Sequence, residues 1–308
     1  MKKIVFLDAY SVGDSSLAEL EKLGDFTAFQ DTMPEEVVER ARGAEVVITN
    51  KVKLFRDELE GLKSSLKLIC VAATGTNNID MEYARECGIT VKNVPAYSTV
   101  SVSEATFAFV LGLCRGVSFY NDFVHSGEYS SGTRCFNLDY PIWQISGKRW
   151  GVVGLGAIGN NVAQIAKAFG AEVCYYSTSG GNNNTDYQRV EFKELLQSCD
   201  IITIHAPLND KTHGLFSTEE FSQMKPTSII VNMGRGGIID EVALATALNK
   251  EQIAGAALDV FTNEPLKADS PLLSVNEPHR LLLAPHSAWS SKEARERLIA
   301  VISKNISE

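Results

Sequence analysis

Short apolar runs rich in β-branched residues alternate with stretches of helical period along almost the whole chain. In the first third the runs fall at residues 4–7, 46–49, 68–71 and 90–91. Each is a continuous hydrophobic block rather than an in-out alternation, as expected of parallel strands buried on both faces. Between them, residues 16–23, 34–42 and 80–87 carry helical spacing and have the length that a crossover between parallel strands needs. This pattern predicts one α/β domain. Two helical stretches, 101–114 and 117–126, then interrupt the alternation. It restarts with strands predicted at 149–153, 172–176, 201–204, 228–232, 254–258 and 281–284, a second doubly wound sheet. A last helical stretch, 292–303, follows the final strand and is expected to cross back onto the first domain. The expected division is residues 1–98 with 288–308, and 99–287.

Length agrees with two cores, because a chain of 308 residues exceeds what a single core usually sustains. Hydrophobic residues at 44% and charged residues at 22% are ordinary for a globular protein. The net charge of -9 argues against a nucleic-acid surface, so an anionic small molecule would have to be met by local positive charge. Six cysteines stand singly, with no CxxC pair and no other cluster of ligands, which predicts reduced thiols and no metal site. The apolar run at 4–7 is too short for a signal peptide and no run reaches membrane-spanning length. A cytoplasmic protein without a membrane partner is expected.

The first motif with chemistry follows the strand at 149–153. Gly154-Leu155-Gly156-Ala157-Ile158-Gly159 leads into a helical pattern through Phe169, so strand, glycines and helix stand in the order of a Rossmann fingerprint. Gly154 permits the tight turn, Gly156 lets backbone approach a pyrophosphate, and Gly159 lets helix and strand pack closely. The helix N-terminus supplies N–H groups and partial positive charge to the phosphates. The next strand should end in an acid that grips the adenosine ribose, but it ends at Tyr176 and Ser177, with Thr178 following. The nearest base in sequence is Arg189, so no clamp for a 2′-phosphate is visible. NAD is the expected cofactor, and hydroxyls and backbone in this turn leave NADP open.

Three later segments each place a useful side chain just past a predicted strand, at the carboxyl edge where open α/β sheets bind ligands. Arg235 lies in the glycine-rich run Val231 to Gly237 and offers a planar fork to a carboxylate. Asp259 and then Glu264-Pro265 follow the second strand, and Pro285-His286 follows the third.

Gly154 to Gly159, the run around Arg235, Glu264-Pro265 and Pro285-His286 together resemble the D-isomer-specific 2-hydroxyacid dehydrogenase family, over nearly the whole chain. The segment from Ala73 to Asp80 resembles its substrate-facing loop, and Ser98 to Glu104 resembles the start of its cofactor domain. The resemblance implies a Rossmann NAD(P)-binding domain and a flavodoxin-like substrate domain, both doubly wound parallel sheets, with the active site in the cleft between them. It implies reduction of a 2-oxo acid, with Arg235, Glu264 and His286 as catalytic residues. That reaction builds negative charge on the carbonyl oxygen, which a protonated imidazole at His286 would stabilise while delivering the proton, with the Glu264 carboxylate orienting the ring and favouring its charge. Main-chain N–H groups near Thr74 and Gly75 would hold a second substrate carboxylate oxygen. The implied cofactor contacts are Gly154, Gly156, Ala157, Ile158, Gly159, Ser177, Thr178, His205, Ala206, Pro207, Met233, Gly234, Asp259 and Thr99, with Asp259 at the nicotinamide carboxamide and His205 walling the adenine pocket. Substrate contacts fall on Ala73, Thr74, Gly75, Arg235 and His286. The family's dimerisation arm matches the aromatic-rich stretch 115–143, which implies a homodimer.

Plainer readings stand beside these. Asp259 could be a turn cap, Glu264 a turn residue, Arg235 a surface charge, and Trp143, Trp150 and Trp289 packing residues. Among activities, the pattern looks most like glycerate dehydrogenase or hydroxypyruvate reductase, with D-lactate and 2-hydroxyisocaproate dehydrogenases as alternatives. A dinucleotide-sensing corepressor on the same fold is the rival from another class.

Overall fold

The computed structural model describes all 308 residues, and they form two compact units: Met1–Ser98 with Ser290–Glu308, and Thr99–Trp289. The chain returns to the first unit at Ser290 rather than at residue 288. Ala288 and Trp289 pack with the core of the second unit, and the Ala288 N–H is bonded to Asp259 within it.

In the first unit, β1 (Lys3–Phe6), β2 (Asp25–Ala28), β3 (Val46–Thr49), β4 (Leu68–Val71) and β5 (Thr90–Lys92) form a sheet in the order β2-β1-β3-β4-β5, with every pair parallel. That is the flavodoxin-like order. Its central strands are buried on both faces, so Val5, Val47 and Ile69 lie in one core with Leu59 and Leu62 from the helix Arg56–Leu62. The closing helix, Lys292–Ser307, belongs here and runs one turn beyond the expected stretch. Ser291 caps it by accepting the Ala294 N–H, and Leu298, Ile302 and Ile306 form its buried stripe at helical spacing. Arg295 donates to the Val12 carbonyl at 2.7 Å, and Lys92 donates to the Asn305 carbonyl at 3.0 Å, so polar contacts flank the stripe.

In the second unit, β6 (Arg149–Val153), β7 (Glu172–Tyr176), β8 (Gln188–Arg189), β9 (Ile201–Ile204), β10 (Ile229–Asn232), β11 (Gly255–Leu258) and β12 (Leu281–Leu283) form a parallel sheet in the order β12-β11-β10-β9-β6-β7-β8. This is the Rossmann order extended by one strand, and the chain reverses direction across the sheet between β6 and β9. Helix Thr99–Arg115 packs Phe107 on Trp150, with ring centroids 5.0 Å apart. Trp150 is fully buried and its indole N–H donates to Thr203 Oγ1 at 3.0 Å, so it serves packing with its one polar atom satisfied.

Two strands escape the sequence pattern, and so do the helices Arg56–Leu62, Glu128–Ser131, Phe192–Ser198, Thr218–Gln223 and Glu241–Asn249. β2 reads Asp-Phe-Thr-Ala and is largely exposed at a sheet edge, so it carries no apolar run, and β8 is only two residues long. Helix Arg56–Leu62 presents only Leu59 and Leu62 inward.

Candidate active site

The register of the second sheet aligns the candidate residues before any side chain is considered. Val153 pairs with Ile204 and Tyr176, Ile204 with Asn232, Asn232 with Leu258, and Leu258 with Leu283. These strand ends form one line across the carboxyl edge. The next residue of each chain segment, Ser177, Gly154, His205, Met233, Asp259 and Ala284, therefore opens on the same edge. Arg235 and His286 lie two residues further on.

The glycine turn is shaped as its motif requires. Gly154 has φ +89°, and a side chain there would strike the backbone of Ala206. A Cβ on Gly159 would stand 2.2 Å from the Gly154 carbonyl oxygen, so only glycine lets the helix Ala157–Ala168 approach the turn. A Cβ on Gly156 would meet nothing within 4 Å, and Gly156 caps the helix with no side chain bonded to its first N–H groups. Open space in front of uncapped N–H groups is what a pyrophosphate needs. Beside the turn lies a cavity of about 590 Å³ lined by Gly154, Gly156, Ser177, Thr178, His205 and Pro207, among others. Both ring nitrogens of His205 are buried without a hydrogen-bond partner, and burial pushes its pKa down to about 3. The imidazole is a neutral wall. A dinucleotide fits these residues.

On the other side of the edge, Asn232 organises the Arg235 loop. It is 1% exposed, its Oδ1 accepts the Gly234 N–H at 3.0 Å, and its Nδ2 donates to the Arg235 carbonyl at 2.9 Å. The Arg235 guanidinium is steadied by the Gly234 carbonyl at 2.8 Å. Gly236 passes so close to Phe261 that a Cβ would stand 1.8 Å from its carbonyl oxygen, which brings the Arg235 loop against the segment leading to Glu264. Sequence reasoning passed over Asn232 because its role is visible only once both partners are placed; its position at the strand end was the one available signal.

Glu264 and His286 meet directly. Glu264 Oε2 lies 2.7 Å from His286 Nδ1, and its Oε1 accepts the Phe261 N–H at 3.0 Å. One oxygen is thus fixed by backbone while the other orients the imidazole. His286 itself has φ +52°, an uncommon conformation for a residue with a side chain, and its N–H is shared between the Asp259 and Ala284 carbonyls. Asp259 is 3% exposed and its carboxylate accepts from Ser287 and Ala288. Burial pushes that carboxyl above its ordinary range while these N–H groups pull it down. In the structure, then, Asp259 holds the turn that carries His286.

The remaining sequence candidates are placed as follows. Thr99 starts the helix Thr99–Arg115 in the second unit. Ala73, Thr74 and Gly75 follow β4 in the first unit, where Thr74 Oγ1 donates to the Val94 carbonyl at 3.1 Å. Trp143 and Trp289 are partly buried against the core of the second unit. No group of three or more acidic, histidine or cysteine side chains is arranged to hold a metal ion.

A dinucleotide cradle and a carboxylate-paired histidine on one edge of a Rossmann sheet define a nucleotide-dependent oxidoreductase. Comparison with known proteins narrows the class. The model of the D-isomer specific 2-hydroxyacid dehydrogenase NAD binding domain matches residues 107–288. A hydroxypyruvate reductase of Blautia hydrogenotrophica is 37% identical, the match covering 99% of this chain and 96% of that protein. A glycerate dehydrogenase of Methylorubrum extorquens is 36% identical over 99% of this chain and 95% of its own length. Among solved structures, an acyclic imino acid reductase in complex with NADPH and D-Arg superposes with a TM-score of 0.88 at 30% identity, covering 99% of this chain and 96% of that one. A D-lactate dehydrogenase of Aquifex aeolicus, complexed with NAD and lactic acid, gives 0.82 at 26% identity over 99% and 94%. The chain belongs to the D-isomer specific 2-hydroxyacid dehydrogenase family, and is an NAD(P)-dependent oxidoreductase acting on the CH–OH group of donors.

Proposed function

We propose that this enzyme reduces small 2-oxo acids of the hydroxypyruvate and glyoxylate type, with His286 as proton donor, Glu264 as its orienting partner and Arg235 as the carboxylate anchor. The observation that carries the site assignment is the 2.7 Å contact between His286 and Glu264. With Nδ1 committed to the carboxylate, Nε2 is the atom left to face a substrate carbonyl and to hand over a proton as the oxygen becomes a hydroxyl. When bound, the nicotinamide supplies the hydride.

Arg235 presents the only guanidinium on the loops named here. Its delocalised charge suits a bidentate grip on the carboxylate and draws electron density from the adjacent carbonyl. Ala73, Thr74 and Gly75 serve as further substrate contacts, assigned by the match of their segment to the family's substrate-facing loop. The glycine turn with Ala157 and Ile158 takes the pyrophosphate, while Ser177, Thr178, His205 and Pro207 take the adenosine end. The first unit is accordingly the substrate domain and the second the cofactor domain. The choice of substrate rests on the names of the two relatives given above.

The enzyme is proposed to act in the cytoplasm as a homodimer. No single helix is long and apolar enough to cross a membrane. Between Val117 and Ile142 the surface carries Val117, Val124, Tyr129, Phe136, Leu138 and Ile142, with Leu138 at 77% exposure, an apolar load that a second copy would cover. Light scattering at working concentration tests the dimer, and a monomer mass refutes it.

The activity is tested by following oxidation of NADH with hydroxypyruvate, glyoxylate, pyruvate and 2-oxoisocaproate offered separately. Preference for either of the first two is expected. Preference for pyruvate or the branched acid would move the enzyme to the lactate or isocaproate type, and tight dinucleotide binding without turnover of any acid would favour a sensing protein.

A further inference from the structure

We propose that Cys174 and Cys199 are a modification site, a buried dithiol that a small hydroperoxide converts to a reversible disulfide. Of the six cysteines, all free, these two stand sulfur to sulfur, with their Sγ atoms 3.5 Å apart.

The sheet makes this contact. Cys174 lies on β7 opposite Gly151 of β6, and Cys199 follows the helix Phe192–Ser198, just before β9 on the other side of β6. To meet, the two side chains must pass over the face of β6. Gly151 leaves that face bare: a Cβ there would stand 2.8 Å from Cys199 Sγ and 2.9 Å from Leu195 Cγ. A larger residue at this position would displace the Cys199 sulfur. Both cysteines are buried, at 1% and 0% exposure, yet each has a neighbour that reaches solvent. Arg149, whose guanidinium interacts with Cys174, keeps 28% of its side chain exposed, and the part-buried Ser198 hydroxyl lies 3.9 Å from Cys199 Sγ. A peroxide little larger than water suits such an entry, where a bulky thiol reagent does not.

The pair is asymmetric, which sets the order of events. The Cys199 thiol donating to Cys174, with help from the Arg149 guanidinium, draws the Cys174 thiol below its ordinary range against the opposing effect of burial. Cys199, whose proton is held in that bond and by burial, is pushed up. Cys174 is therefore the attacking sulfur. Its thiolate takes one peroxide oxygen, the O–O bond breaks and hydroxide leaves, so that sulfur is oxidised to a sulfenic acid while peroxide is reduced. The Cys199 sulfur then attacks the Cys174 sulfur, forming the S–S bond as the S–O bond breaks and a second hydroxide leaves. The two thiol protons convert both hydroxides to water. Two thiols and one peroxide thus give one disulfide and two waters.

The full-length protein, reduced, freed of reductant and treated with hydrogen peroxide while folded, is then denatured, alkylated and mapped by mass spectrometry. The expected product is a peptide pair joined through Cys174 and Cys199, about 2 Da lighter than the two reduced peptides together, and dithiothreitol should restore both thiols. Cys70 and Cys114, which are buried without a sulfur partner, serve as internal controls and should remain thiols. Cys199→Ser removes the second thiol and should leave Cys174 as a sulfenic acid that dimedone traps, whereas Cys174→Ser should leave Cys199 unoxidised. In the unmutated protein, oxidation of the exposed Cys135 with Cys174 and Cys199 still open to alkylation after denaturation would overturn the proposal, whether or not either variant folds. Scrambled pairings in place of this one would overturn it as well, because the fold would then not be selecting the partner.

Discussion

Asp259 grips the backbone of Ala288 with both carboxylate oxygens, each 3.1 Å from the same N–H, and takes the Ser287 N–H at 2.8 Å with one of them. These are the two residues after His286, whose own N–H meets the Asp259 carbonyl at 2.8 Å. Asp259 is thus a positioning residue that sets the left-handed turn at φ +52° from which the imidazole projects. Asp259→Ala leaves the buried Ala288 N–H and the part-buried Ser287 N–H without their acceptor and should cost about 1–3 kcal/mol of stability, roughly the penalty of one buried orphaned donor. Asp259→Asn keeps one acceptor oxygen and should cost less than half as much. Urea unfolding checks the order. Both variants should lower kcat more than they raise KM, whereas a purely scaffolding role would leave kcat of the folded fraction unchanged.

The Glu264 and His286 pair separates orientation from proton transfer. His286→Asn removes the proton donor and should reduce kcat by about 10²–10⁴, the usual contribution of a general acid, while NADH affinity stays within a few-fold. Glu264→Gln retains an oxygen able to accept from Nδ1 but loses the charge that stabilises the imidazolium. Its kcat should fall less than that of His286→Asn, by about 10–10². Steady-state kinetics together with fluorescence titration of NADH distinguish a lost catalytic group from a lost cofactor site. Full activity in His286→Asn would refute the assignment.

Arg235 anchors through geometry as much as through charge. Arg235→Lys preserves the charge but not the planar fork and should lower kcat/KM about 10–100-fold, since a hydrogen bond to a charged group contributes roughly 1.5–3 kcal/mol. Arg235→Ala should lose more, with the loss weighted toward KM for the 2-oxo acid. Varying the acid at saturating NADH measures it. A normal KM in Arg235→Ala would show that the substrate carboxylate is held elsewhere.

The strands most legible in the sequence are the central ones. Residues 46–49, 68–71, 149–153, 172–176 and 201–204 match β3, β4, β6, β7 and β9 to the residue; all but β7 are buried along nearly their whole length, and such apolar blocks have sharp ends. β2 pairs along β1 through backbone alone and keeps Asp25, Thr27 and Ala28 exposed, so no side-chain pattern marks it. The site divides in the same way. Gly154 to Gly159 stand together in a local motif, and Arg235, Glu264 and His286 each follow a strand whose end the pattern fixes. Asn232 carries no such local mark: it acts through the Gly234 N–H and the Arg235 carbonyl, and the loop conformation that brings both to its side chain leaves no pattern in the sequence.

His205 makes stability depend on acid in a defined window. Both nitrogens of its imidazole are buried without a polar partner, and its pKa falls from 6.5 to about 3. The folded value lies below the unfolded one, so between these limits the unfolded chain binds a proton that the folded chain refuses. Stability from this residue is therefore complete above pH 6.5 and declines as the pH drops toward 3, by about 1.4 kcal/mol per pH unit. Carboxylates titrate in the same range, so the comparison must be with a variant that cannot ionise. His205→Leu should gain on the unmutated protein by about 2–3 kcal/mol between pH 7 and pH 4.5, measured by urea unfolding at each pH. A stability gap that stays constant across that interval would mean that the ring is protonated without penalty in the folded protein, and that it is a hydrated rim of the cavity rather than its neutral wall.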